Sequence, residues 1–97
     1  MIIGFSCKET EKIFSGKRSS KFALNIQLRA YSKLLRLDAA VSFNDLSNVD
    51  PASFKKLKGY ENKYAVRVNR QYRIRFDVIE NKIECVELCD VEFGDFH

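Results

Sequence analysis

The residues best suited to chemistry in this chain are cations, and they crowd into one stretch. Between Lys55 and Arg75 stand eight basic residues (Lys55, Lys56, Lys58, Lys63, Arg67, Arg70, Arg73 and Arg75) against one acid, Glu61. From Phe76 to His97 the balance reverses, with seven acids against one base, Lys82. The formal net charge of +4 is modest, so it is the local concentration that points to an anionic partner. Arg presents a planar fork to phosphate oxygens, and Lys a point charge. Tyr60, Tyr64, Tyr72, Phe93 and Phe96 are interleaved with these cations or follow them, and their rings suit stacking on bases. The chain has one histidine, His97, at its end. An imidazole transfers protons at neutral pH, and cations stabilise a charged transition state. Together these groups suit cleavage of RNA by its own 2′-hydroxyl, a reaction that needs no metal. The competing use of the cations is neutralisation of the acidic segment, with Glu84, Glu87 or Asp90 pairing with Arg73 or Arg75 across a sheet.

The elements that must position these groups follow from the apolar pattern. Met1 to Cys7 reads as an opening strand. Lys8 to Phe14 reads as one or two helical turns with Ser6 as a cap. After a polar loop over residues 15–20, Ser19 or Ser20 caps a longer helix from about Lys21 to Asp38. Leu24, Leu28, Tyr31 and Leu35 form its apolar stripe, widened by Leu34. Lys21, Arg29, Lys33 and Arg36 fall between the stripe positions as a solvated basic flank. Residues 39–51 connect, with a helical turn around Asn44 to Leu46 and Pro51 at the end. From Phe54 the period changes to two. Tyr64, Val66 and Val68, then Tyr72, Ile74, Phe76 and Val78, alternate with polar residues, which is a hairpin signature. A turn over residues 79–82 leads to a last strand, Ile83 to Val91. Its apolar residues occur at both parities, as in a strand covered on both faces.

This order predicts one α+β domain over residues 1–97, with an N-terminal strand and two helices packed on one face of a mostly antiparallel sheet. Placing the apolar parity against the helices puts Arg67, Arg73 and Arg75 together on the open face. A chain of 97 residues supports one core. Cys7, Cys85 and Cys89 make an odd count, which argues against a disulfide framework and fits a reducing compartment. Cys85 and Cys89, four residues apart on a strand, would lie about 13 Å from each other, too far to share a tetrahedral zinc. No metal and no cofactor is expected. No apolar run approaches the roughly 20 residues that span a bilayer, and the opening residues lack a signal peptide's charged start. The expected location is the cytoplasm, without a membrane partner.

Several stretches resemble the HigB group of RelE-like toxins. They are Ile2-Ile3-Gly4-Phe5, Leu34-Leu35-Arg36-Leu37-Asp38-Ala39-Ala40 followed by Asp45-Leu46, Leu57-Lys58-Gly59, the hairpin from Tyr64 through Arg67-Val68-Asn69 and Tyr72-Arg73-Ile74-Arg75-Phe76, and the closing Asp95-Phe96-His97. The ordered set covers nearly the whole chain. The resemblance implies a toxin of a type II toxin–antitoxin system, an endoribonuclease that cuts messenger RNA in the ribosomal A site. It implies Lys58, Arg73 and His97 as catalytic residues. Lys55, Lys56, Arg67, Arg70, Gln71, Arg75, Asp95 and Phe96 are the expected RNA-binding set. The implied partners are a HigA-like helix-turn-helix antitoxin, the ribosome and messenger RNA. Phe96 stands where the family has Tyr, so a hydroxyl is missing, and Tyr72 stands where it has Trp. The alternative is a RelE-like binding module that keeps the basic face and cleaves weakly or not at all.

Overall fold

The computed structural model describes residues 1–80 and 86–96. Three helices, α1 (Lys8–Phe14), α2 (Leu24–Ala39) and α3 (Phe43–Ser47), precede four strands, β1 (Lys55–Lys56), β2 (Lys63–Arg67), β3 (Arg73–Glu80) and β4 (Val86–Gly94). The strands form one antiparallel sheet in the order β1-β2-β3-β4. Residues from α1, α2, α3 and the three longer strands share one buried cluster that includes Ile13, Leu34, Leu46, Val66, Ile74 and Leu88. The α+β arrangement with a helical layer on one sheet face is therefore as the sequence predicts. No helix among the described residues is long and apolar enough to cross a membrane.

Differences from the sequence reading are local. Instead of a continuous opening strand, the first residues run parallel to β4 through two isolated bridges, Ile2 with Leu88 and Phe5 with Val91. The interruption coincides with a bulge in β4. Arg75 pairs with Glu92, but Asp77 pairs with Cys89, so β4 carries one residue more than β3 over that interval. Asp90 absorbs it with a φ of 50°, a left-handed conformation that Asp tolerates better than most residues. The bulge also resets the alternation. Val86 and Leu88 are buried before it, and Val91 and Phe93 after it. The apolar residues at both parities thus come from a change of phase, not from cover on both faces. The turn expected over 79–82 runs beyond the described residues, and Ile83, Glu84 and Cys85 lie outside them.

α2 buries a face rotated from the expected one: of the predicted stripe, Leu34 is in the core and Tyr31 packs against it, but the rest lies outside. Gln27, Ala30, Leu34 and Leu37 point inward, while Leu24, Leu28 and Leu35 are 47%, 59% and 43% exposed. Gln27 explains both the choice of face and the later start of the helix. Its amide nitrogen donates to the Ser19 and Phe22 carbonyls at 2.6 and 2.7 Å, and its amide oxygen accepts from the Ser19 N–H at 2.8 Å. These bonds hold residues 19–22 in an irregular loop, so Ala23 takes the N-cap position rather than Ser19 or Ser20. At α1, Cys7 takes the N-cap position, and the Ser6 hydroxyl donates to the Asp90 carbonyl at 3.4 Å. The turn around Asn44 to Leu46 is present as α3, closed by a reciprocal capping box between Ser42 and Asp45.

Two of the basic residues on α2 have structural partners. Lys33 meets the Asp50 carboxylate at 3.0 Å, and Arg36 donates to the Asn48 carbonyl at 3.3 Å. Both tie the connecting segment to α2. The Asp50 carboxylate also accepts from the Ser53 hydroxyl at 2.7 Å, and Ser53 Oγ accepts from the Arg67 N–H at 2.9 Å. This relay anchors the approach to the sheet at the end of β2.

Candidate nucleic-acid interface

The antiparallel register arranges the cations in rows. Directly paired residues point to the same face of a sheet. One row across the open face is Lys55, Ala65, Arg75 and Glu92, and the next is Arg67, Arg73 and Gly94. The small side chain of Ala65 leaves room between its larger neighbours. The result is a cleft of about 570 Å³, floored by Ala65 and edged by Lys55, Lys58, Arg73 and Arg75. Leu57, Tyr60, Asp95 and Phe96 complete its wall.

Local sequence explains how each group reaches the cleft. Lys58 lies in the connection between β1 and β2, where Gly59 adopts a φ of 85° that L side chains rarely accept. The Leu57 N–H donates to the Lys63 carbonyl at 2.9 Å and closes that connection. Arg73 opens β3 after a tight turn. The Asn69 side chain accepts from the Gln71 and Tyr72 N–H groups at 2.9 and 2.7 Å, which builds the turn without help from glycine. Asp95 and Phe96 continue from β4. That strand is pinned to α1 where the Phe93 N–H donates to the Thr10 hydroxyl oxygen at 2.9 Å inside the core.

The closing segment folds back over the cations. Arg73 Nη1 donates to the Phe96 carbonyl at 3.1 Å. The Arg75 guanidinium carbon lies 3.9 Å from the centre of the Phe96 ring, and Arg75 Nε meets Glu92 Oε1 at 2.6 Å. Gln71 Nε2 donates to Asp95 Oδ2 at 3.3 Å. Lys58, Arg73, Arg75, Asp95 and Phe96 are therefore brought together as the sequence suggests, with Lys55 beside them. Arg67 is exposed on the adjacent row, and Arg70 and Gln71 sit on the exposed turn that follows. Lys56 pairs with Tyr64 and does not line the cleft. His97 lies outside the described residues.

The aromatic residues divide between cleft and core. Tyr60 and Phe96 line the cleft. Tyr72 and Phe93 pack with Phe22 on the helical side, with ring centres 4.8 to 5.5 Å apart. Tyr64 stacks on Phe54 at 5.3 Å. These three side chains are at the apolar parity of their strands, which removes them from the expected base-stacking set.

Glu92 is the site residue that sequence reasoning missed. Glu84, Glu87 and Asp90 were the expected partners for the arginines, whereas an unbroken register counted from Asp77 and Cys89 would put Val91 opposite Arg75. The bulge at Asp90 shifts the register and places Glu92 opposite Arg75 instead. Further along the open face, Lys63 pairs with Asp77 at 3.3 Å. There Asp77, Cys89 and Asp90 bring possible metal-ligand atoms within 4.8 Å of one another. Burial, followed by the Asp90 and Asp77 carboxylates, pushes the Cys89 thiol up from its ordinary value.

Residues 4–90 match the family model for HigB-like toxins, described as the RelE-like toxin of the type II toxin–antitoxin system HigB. This chain belongs to the HigB-like toxin family. It is thus a toxin of a type II toxin–antitoxin system, and its family implies an antitoxin partner. The match covers the sheet up to the bulge and ends before Asp95 and Phe96, so the closing part of the cleft rests on the geometry above. Comparison with curated proteins returned no match.

Proposed function

We propose that this HigB-like toxin is a metal-independent endoribonuclease that cuts messenger RNA on the ribosome and so inhibits translation. The observation that carries the reading is the convergence of Lys58, Arg73 and Arg75 with Tyr60 and Phe96 on one open cleft. In the proposed reaction the 2′-oxygen attacks the adjacent phosphorus and gives its proton to the imidazole of His97. The bond from phosphorus to the 5′-oxygen breaks, and the departing oxygen takes a proton from Lys58. The products are a 2′,3′-cyclic phosphate and a 5′-hydroxyl end. Arg73 faces the charge that builds on the phosphoryl oxygens. Lys55, Lys56, Arg67 and Arg70 hold flanking phosphates, Gln71 and Asp95 shape the tail side, and Phe96 and Tyr60 offer rings to bases. The antitoxin in this reading is a HigA-like helix-turn-helix protein.

The test is single-turnover cleavage of messenger RNA positioned in the A site of purified ribosomes. His97→Ala and Arg73→Ala are each expected to slow cleavage by about 10²-fold or more, within the usual range for proton-transfer and charge-stabilising groups. Ribosome-bound toxin that leaves the message intact would overturn the reading in favour of a binding module. The absent hydroxyl at Phe96 is the feature favouring that second reading, and Phe96→Tyr tests it directly: a rate increase would show that the hydroxyl limits catalysis.

A further inference from the structure

Asp95 and Phe96 belong to no helix or strand, yet they form one wall of the cleft. Something must hold them there. Arg75 and Glu92 are cross-strand partners in β3 and β4. Their side chains are 28% and 24% exposed and meet at 2.6 Å through the guanidinium Nε. A charge-assisted bond of this kind fixes the direction of a side chain that would otherwise sample many rotamers. Held this way, the guanidinium sits 3.9 Å from the centre of the Phe96 ring, within the range of a cation–π contact. On the neighbouring row Gly94 completes the seat. A Cβ built there would come within 3.0 Å of Phe96 Cζ. Since the φ of Gly94 is not positive, its glycine answers a need for space, not for backbone freedom.

We propose that Glu92 is a positioning residue. It aims Arg75 at the Phe96 ring, and with Gly94 it makes a latch that fixes the closing segment over the cleft. The latch stands on the geometry alone, while its effect on cleavage rests on the function proposed above. Arg75 in this arrangement serves the site through Phe96 as well as through its charge. The latch thus acts on Phe96, the residue that precedes the proposed proton-transfer group in the sequence.

Two measurements test this separately. In the free protein, ¹⁵N relaxation of Asp95 and Phe96 is compared among the parent, Glu92→Gln, Gly94→Ala and the control Glu87→Gln. The first two variants are expected to raise fast motion at Asp95 and Phe96 while the amide spectrum of β2 and β3 stays dispersed. Glu87→Gln is expected to behave as the parent. On ribosomes, Glu92→Gln is expected to lower the single-turnover rate at saturation by about 10-fold, as misplacement of reacting groups does. Its half-saturation concentration should not rise, because every cation is kept and loss of the Glu92 charge leaves Arg75 more available to phosphate. Unchanged relaxation in both Glu92→Gln and Gly94→Ala would overturn the latch. Increased motion with an unchanged rate would overturn the positioning role. A parent protein without cleavage overturns the proposed function and the positioning role with it, and the relaxation measurement still decides the latch.

Discussion

Removing Lys55 and Lys58 together should flatten the salt dependence of RNA binding by a definite amount. Both line the cleft, both are exposed, and neither is in an ion pair among the described residues. Each is thus available to displace a counterion from a phosphate. For single-stranded nucleic acid the slope of log affinity against log salt is about −0.7 per neutralised phosphate. Loss of two contacts should make the slope shallower by about 1.4. Raising salt from about 50 to about 200 mM should then weaken the parent roughly seven-fold more than Lys55→Ala/Lys58→Ala. Arg75 supplies an internal contrast, because Glu92 already meets its charge at 2.6 Å. Glu92→Gln should steepen the slope by up to about 0.7, the opposite direction from the lysine changes. The assay is fluorescence anisotropy with a short labelled RNA blocked at every 2′-hydroxyl, so that cleavage does not intervene. Equal slopes for the parent and the double lysine variant would refute the assignment of this cleft to phosphate.

Three further outcomes are expected. Gln27 makes three hydrogen bonds to the loop over 19–22 and is 5% exposed; Gln27→Leu should strand buried groups at a cost of about 3 kcal/mol. Thermal unfolding should show a fall in Tm of roughly 12–24 °C, and a fall below about 3 °C would mean that the loop finds other partners. The hydroxyl of Ser53, followed by Lys33, holds the Asp50 carboxyl below its ordinary value against the opposing effect of burial. A depressed carboxyl contributes stability that is present above the unfolded value near about 3.9 and is lost as pH falls through the folded one. Asp50→Asn should therefore lower Tm at neutral pH, with the gap closing in acid; a gap independent of pH would point to packing instead. Burial works to raise the Cys7 thiol, but hydrogen bonds from Thr10 and the Glu9 backbone outweigh it and leave it below its ordinary value, whereas Cys89 is raised. Limited alkylation at neutral pH, read by peptide mass spectrometry, should label Cys7 before Cys89, and the reverse order would contradict these environments.

What the sequence alone determined was set by composition and by short-range period. The eight cations between Lys55 and Arg75 and the two-residue alternation that marks the hairpin around them are local properties. They were enough to place Arg67, Arg73 and Arg75 on one face, and the ordered motifs were enough to indicate the toxin family. The tertiary structure decided what depends on contacts between distant residues. α2 carries two apolar stripes, and period alone favours the one with more leucines, Leu24, Leu28 and Leu35. The loop before α2 reverses that choice, because only the other face lets Gln27 satisfy the Ser19 and Phe22 backbone. The opening residues look like a strand, but the partner they meet bulges at Asp90 and allows only two bridges. That same bulge shifts the register of β4 by one residue, so the acid facing Arg75 is Glu92 rather than any residue found by counting from the turn. A one-residue shift moves every side chain beyond it to the opposite face; in the sequence it shows only as apolar residues at both parities, a pattern that a strand covered on both faces would share. The wall of the cleft made by Phe96 likewise depends on Gly94, opposite Arg73, and Arg75, opposite Glu92, lying on neighbouring rows of the sheet, a relation that exists only once the sheet is assembled.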